Sequence, residues 1–374
     1  MDDEAGRREV VRQALSAKGR GSQINPTGRF RRIEVEEEFE YFEHDAEALS
    51  ERRRGRTEYF VDDAKSVVSE NDSPDVPFRY SLNAYRGCLH GCSYCYARPS
   101  HEYLDLSAGL DFETKIFVKE RAPELLRDWL CREGYVPEAI TLSGVTDCYQ
   151  PVERKLRLTR RCLEVAREAC QPIAVITKNG LVTRDVDLFG DMAKLGTVSV
   201  GVSVTSLDQS LTRVMEPRTS SPAARLEAIA TLSLAGVPVH VLVAPVVPGL
   251  TDHEIPAILR AASEAGARSA SYVLLRLPMT VEPVFLEWLA RALPDRRSVV
   301  ESRIRSTRGG DLYESGFGVR MRGEGPIAEQ IGRTFELFAK RFGLKTGESR
   351  QAELDCSRFR RPVPRSGQRW LFDR

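Results

Sequence analysis

The sequence predicts an α/β protein built on a partial, TIM-like (β/α)6 barrel with an extension at each end. Short β-rich runs alternate with helical ones from Arg79 onward, the pattern of βα units around a parallel sheet. The helical stretches carry start and stop residues, with prolines at their beginnings and glycines at their ends. Several of the β-rich runs lead straight into polar or cysteine-bearing loops, and barrels of this kind do their chemistry at the carboxyl ends of the strands.

Residues 1–75 read as a charged N-terminal extension, partly ordered on the core. Ser16 to Ser22 and Asn25 to Gly28 are turn-rich. The span 34–45 is acidic with Phe39, Tyr41 and Phe42 interleaved, and Arg52, Arg53, Arg54 and Arg56 form a basic run. Charge runs of this sort are usually solvated surface; docking on the core or on nucleic acid is the alternative.

Residues 76–295 read as the core. Its strands are expected at 79–85, 139–143, 173–177, 197–205, 237–247 and 270–277. Pro123 opens a helix with an apolar stripe of Leu125, Leu126, Trp129 and Leu130. Ser221-Pro222 caps another that ends at Gly236, and Thr251 with Glu254 has the spacing of a capping box for a helix stopping near Gly266. Residues 296–374 read as a helical extension with a basic tail. In it 327–342 is an amphipathic helix, and Gly318 to Gly325 is a lid or substrate-side loop. The tail interleaves Arg358, Arg360, Arg361, Arg365, Arg369 and Arg374 with Phe359, Trp370 and Phe372, a composition that suits either nucleic-acid binding or a charged disordered end.

The loop after the first strand carries Cys88, Cys92 and Cys95 in a C-x3-C-x2-C spacing. Three thiolates on one tight loop can hold three irons of a [4Fe–4S] cluster and leave the fourth without a protein ligand. Such an open iron can chelate S-adenosyl-L-methionine and cleave it to a 5′-deoxyadenosyl radical. Gly87 and Gly91 allow the loop to wrap closely, and Tyr94 offers an aromatic face to the adenine. His90 lies between the cysteines, so a structural zinc site in a nucleic-acid-binding protein is the competing reading.

Other polar residues gather at the expected strand ends. The second strand runs into Thr146, Asp147, Tyr149, Gln150 and Glu153, the third ends in Thr177-Lys-Asn-Gly180, and the fourth presents Ser203 and Thr205. Asp147 is either a site residue or a turn cap. Lys178 is placed to neutralise a carboxylate or simply to be solvated.

The stretch Asn83 to Pro99 resembles the signature of the radical S-adenosylmethionine superfamily, in its branch related to spore photoproduct lyase. The resemblance spans about residues 80–277 and includes Glu216-Pro, Arg225 with Leu226-Glu227, and Val243-Ala-Pro245. It implies an open (β/α)6 barrel, a [4Fe–4S] cluster on Cys88, Cys92 and Cys95, and cosubstrate contacts from Thr146, Lys178 and Ser203, which Tyr94 and Asp147 join on the reading of the loop and strand end. Tyr96 matches a tyrosine of the lyase's hydrogen relay. The relay cysteine would fall near Gly144, with Cys148 the nearest substitute. An external flavodoxin- or ferredoxin-like protein would supply electrons. Nucleic acid is one implied substrate class, and a protein or small molecule is the other.

Lys and Arg number 55 against 54 Asp and Glu, so net charge of +1 singles out no partner. No run of about 18 apolar residues is present and the first residues are acidic, so a membrane span and a signal peptide are not expected. Eight cysteines without a disulfide-type framework suit a reducing, cytoplasmic compartment.

Overall fold

β-Branched residues at alternate positions favour extended chain and pack well on a pleated surface. Strand formation follows that preference in a computed structural model, which describes residues 17–30, 56–347 and 354–364. The acidic span 34–45, Arg52 to Arg54 and the tail from Arg365, Trp370 and Phe372 included, lie outside the described residues. In chain order the strands are β1 (Glu58–Val61), β2 (Val68–Glu70), β3 (Tyr80–Leu82), β4 (Tyr85–Arg86), β5 (Lys115–Val118), β6 (Ile140–Leu142), β7 (Ile173–Thr177), β8 (Val198–Ser203), β9 (Val239–Val246) and β10 (Ser269–Leu274). The longer helices are α1 (Ala122–Leu130), α2 (Leu158–Glu168), α3 (Val186–Lys194), α4 (Pro222–Leu234), α5 (Ile255–Glu264), α6 (Val281–Ala292), α7 (Arg297–Ser306) and α8 (Gly325–Arg341).

The main sheet runs β10-β9-β8-β7-β6-β3-β2. From β3 to β10 every pairing is parallel, and only β2 is antiparallel. Registers such as Ile140 with Ile173, Val175 with Val200 and Val202 with Val241 stack valine and isoleucine across the sheet. Sequential parallel strands joined by helices are the open α/β arrangement that the six β-rich runs predict.

The first expected strand divides. Asn83 takes the N–H groups of Val145 and Thr146 on its side-chain oxygen at 2.9 and 3.2 Å. The chain therefore leaves the main sheet, and β4 pairs antiparallel with β5, which also carries β1. This small second sheet delivers the cysteine loop to its place.

Two further expectations change. No capping box forms at the start of α5: Thr251 Oγ1 accepts the Val247 N–H at 2.9 Å. The Glu254 carboxylate instead accepts from Ser206 Oγ and the Leu207 N–H, both at 2.6 Å. The reading at Ser221 holds, since its hydroxyl accepts the Ala224 N–H at 3.3 Å. Within the expected lid, Val319–Arg322 forms a helical turn between Gly318 and Gly323, both at positive φ.

Helix α8 belongs to the main core. Phe335 is 1% exposed and its ring lies 4.8 Å from that of Tyr272 on β10. Just beyond α8, Lys345 pairs with Ser269 in an isolated parallel bridge, which covers part of the sheet's free edge. Phe359 packs its ring 5.3 Å from Tyr135, so this aromatic of the basic tail is already engaged. Among the described residues no helix is long and apolar enough to cross a membrane.

Truncating a fully buried aromatic typically costs about 3–5 kcal/mol. Phe335→Ala should lower stability by that amount in urea unfolding, whereas a loss below about 1 kcal/mol would show that α8 contributes little to the core.

Candidate functional site

The cysteine loop is held from several sides. Gly87 sits at φ 77°, and a Cβ there would come within 2.9 Å of His101 and of the Lys115 carbonyl. Backbone bonds join Cys88 N–H to Phe112 O at 2.9 Å and Ser93 N–H to Met215 O at 3.0 Å. The Gln150 amide accepts from Leu89 N–H at 3.0 Å and donates to Gly87 O at 3.2 Å.

Beneath the loop lies a charge pair with no exposure. Arg98 meets Glu113 at 2.5 Å, and both side chains are 0% exposed. The same guanidinium donates to Cys92 O through Nε and Nη2, at 3.0 and 2.8 Å. Its Nη1 reaches Ala108 O and Gly109 O at 3.0 and 2.9 Å. Glu113 also accepts the N–H groups of Gly21 and Ser22 at 3.1 and 2.8 Å. The segment 17–30 is thereby strapped over the loop, so closely that a Cβ on Gly21 would come within 1.8 Å of Gly91 O.

None of the three loop cysteines is in a disulfide; Cys88 and Cys92 are buried and Cys95 is half-buried. Burial pushes all three thiols up. Opposing that, backbone N–H groups of His90 and Asp147 face the Cys88 sulfur, and that of Ala97 faces Cys95. The Lys178 charge favours thiolate at Cys92 and Cys95. Three cysteines on one loop, near enough to act on one another and with backbone N–H groups facing two of the sulfurs, are the donor set of an iron–sulfur cluster, so the residues fit that group once deprotonated. His90 has other partners: its Nδ1 is 3.4 Å from Asp147 and its Nε2 3.2 Å from the Asn179 amide. Burial holds this imidazole down to about 4, hence neutral.

Next to the loop is a second buried charge network. The Lys178 ammonium donates to Ser203 Oγ at 2.7 Å, Thr205 Oγ1 at 3.0 Å and Ala244 O at 2.7 Å, and lies 3.3 Å from Glu216. Glu216 pairs with Arg225, both side chains being fully buried, and accepts from the Tyr94 hydroxyl. Lys178 and Arg225 thus share the Glu216 carboxylate, and Asp147 adds a second negative charge near Lys178. Desolvation, followed by repulsion from Arg225, pushes Lys178 down to about 7.

Tyr94, Lys178 and Ser203 are therefore brought together as one unit. Lys178 lies 5.6 Å from the Tyr94 ring centroid, and Tyr94 is buried, so its ring is not free for adenine in this arrangement. Asp147 acts on the backbone, accepting from Lys178 N–H at 2.8 Å and from Thr177 Oγ1 at 2.7 Å. Thr146 is buried and bonds Tyr85 O at 3.3 Å. Tyr96 is half-exposed, and its hydroxyl donates to Gly144 O at 2.9 Å. A Cβ on Gly144 would lie 2.8 Å from that of Ser81. Cys148 sits in the main apolar core, 4% exposed, with its backbone N–H on Ser143 Oγ at 2.9 Å.

Sequence reasoning did not single out Arg98, Glu113, Asn83 or Asn179. Glu216 and Arg225 were legible only as family landmarks. Their signal would have been charged residues placed where the surrounding sequence folds inward, and burial of that kind is not visible in a one-dimensional pattern.

Residues 82–262 match the family model of the Radical SAM superfamily. An uncharacterised protein of Mycobacterium tuberculosis is 39% identical over 222 residues, 59% of this chain and 65% of that relative. The chain thus spans just under two thirds of the mycobacterial relative's length. An uncharacterised protein of Methanocaldococcus jannaschii is 30% identical over 191 residues, 51% of this chain and 68% of the relative. Among solved structures, a variant of spore photoproduct lyase matches with a TM-score of 0.58 at 16% identity, covering 85% of this chain and 87% of the lyase. The lyase with a bound dinucleoside spore photoproduct matches with a TM-score of 0.55 at 16% identity, over 76% of this chain and 80% of the lyase.

Removing one member of a buried ion pair costs about 3–5 kcal/mol, because the other charge is stranded. Glu113→Ala should destabilise the chain by that order and speed alkylation of Cys88, Cys92 and Cys95 in the metal-free protein. Unchanged alkylation with unchanged stability would show that the pair does not support the loop.

Proposed function

Because this chain belongs to the radical SAM superfamily, we propose that it binds a [4Fe–4S] cluster and S-adenosyl-L-methionine and uses them to start radical chemistry on a substrate carbon. One observation carries the reading: three cysteines outside any disulfide on one strapped loop lie beside a buried lysine held by Ser203, Thr205 and Ala244. When bound and reduced, the cluster supplies the electron that splits the cosubstrate's sulfonium and yields a 5′-deoxyadenosyl radical.

The chain's own residues account for the rest. Cys88, Cys92 and Cys95 would ligate the metal, while Arg98 and Gln150 hold the loop backbone so that the three sulfurs keep one spatial relation. Lys178, fixed by Ser203, Thr205 and Ala244, would receive the methionine carboxylate, whose charge would favour the ammonium form. Asp147 positions Lys178 through its backbone. Tyr96 borders the substrate side. Gly144 offers no thiol beside it, and Ser81 leaves little room for one, so hydrogen return from position 144 is not part of this mechanism. The electron would come from an external one-electron carrier of flavodoxin or ferredoxin type.

The direct test is anaerobic reconstitution with iron and sulfide, reduction, addition of S-adenosyl-L-methionine and assay of 5′-deoxyadenosine. Wild type should form the nucleoside and Cys92→Ala should not; failure of a protein with a full cluster, in the presence of a reductant, would count against the reading. Losing a hydrogen bond to a charged group costs about 1.5–3 kcal/mol. Lys178→Gln should therefore weaken cosubstrate binding by roughly 10- to 150-fold in equilibrium dialysis while leaving the cluster's absorbance intact.

A further inference from the structure

We propose that Arg276 is the receptor for a phosphate group of the substrate, on the open side of Tyr96. The inference rests on the reading above for calling this the substrate side, and on geometry for the rest. Arg276 lies two residues past the end of β10, at the same carboxyl end of the sheet as Gly144 after β6 and Lys178 after β7. Its guanidinium carbon is 5.7 Å from the centroid of the half-exposed Tyr96 ring.

Other arginines packed into this fold meet carboxylates: Arg98 with Glu113, Arg225 with Glu216, Arg184 with Glu153 and Asp185, and Arg320 with Asp75. Arg276 forms no ion pair among the described residues. Its Nη1 has a weak acceptor, Met321 Sδ at 3.5 Å, and its Nε is buried without a hydrogen-bond partner. An unsatisfied buried donor on a charged group is costly, and an incoming oxyanion would satisfy it.

A second cation backs the first. Arg308 is 2% exposed, and its Nε also lacks a partner. Its Nη2 donates to Leu275 O at 2.8 Å and its Nη1 to Val319 O at 2.7 Å. It thereby fixes the residue before Arg276 and the helical turn that carries Met321. Burial and then the charge of Arg276 lower its pKa, so the two guanidiniums repel each other; Glu314 and Glu324 temper that field without forming an ion pair to either. Holding two cations together with no paired carboxylate favours a ligand bearing negative charge. The flat guanidinium matches two phosphate oxygens at once. The glycine-flanked turn 318–323 then has a task, which is to set Arg276 against Tyr96.

The test is titration of the metal-free full chain, at fixed ionic strength, with inorganic phosphate and with a short single-stranded oligodeoxynucleotide. Wild type should bind, and Arg276→Gln should weaken binding by at least about tenfold. Arg276→Lys should fall between the two, because lysine keeps the charge but not the fork. Arg333→Gln, on the exposed face of α8, should bind as wild type does. Thermal melts establish that each variant is folded, and if Arg276→Gln is not, the Lys variant carries the comparison. Much tighter binding of the oligonucleotide than of phosphate would identify a nucleic-acid strand as the source of the group; equal binding would identify a small phosphoester. Absence of binding by wild type, wild-type binding by the Arg276 variants, or loss confined to Lys178→Gln would overturn the proposal. None of these outcomes depends on the cluster, so they are separate from the nucleoside assay.

Discussion

The pairing of Arg98 with Glu113 is the interaction on which the site depends. Burying two charges removes their hydration, and the loss is recovered only if every donor and acceptor finds a partner. Here the five N–H donors of Arg98 meet five acceptor contacts: Cys92 O twice, Ala108 O, Gly109 O and Glu113. Glu113 in turn accepts from Gly21 and Ser22. One ion pair thus fixes the backbone between two of the cysteines and the strap that crosses it. Because its members are fully buried, partial release would expose an uncompensated charge, and the arrangement therefore behaves as one piece.

The Glu216 network differs in composition. Arg98 and Glu113 form a closed pair, whereas Lys178 and Arg225 share Glu216, with Asp147 near enough to favour charge on Lys178. One network holds the backbone of the cysteine loop, and the Lys178 of the other acts electrostatically on Cys92 and Cys95.

The lyase structures share this chain's fold at low identity, so agreement in architecture coexists with local departures. Position 144 is where the resemblance would set a relay cysteine. Tyr96 keeps a hydrogen bond to the Gly144 carbonyl, yet Ser81 crowds the point where a side chain would begin. Cys148, four residues away, faces the main core. Arg276 approaches the Tyr96 ring from just past β10.

What could be read from the sequence was what depends on near neighbours in the chain. The cysteine spacing, the valine-rich strands and the Ser221-Pro222 cap are set by residues within a few positions of one another, and the structure contains all three. The Thr251 and Glu254 pattern was equally local and still failed, because Glu254 reached partners 47 and 48 residues away. Tertiary structure alone decided which buried charges meet. Glu113 chooses Arg98 at 15 residues and Gly21 at 92, and Lys178 finds Ala244 at 66. The reason is physical: a periodic pattern reports which face of a strand or helix is apolar, while the identity of a charge's partner is settled only when distant segments exclude water together.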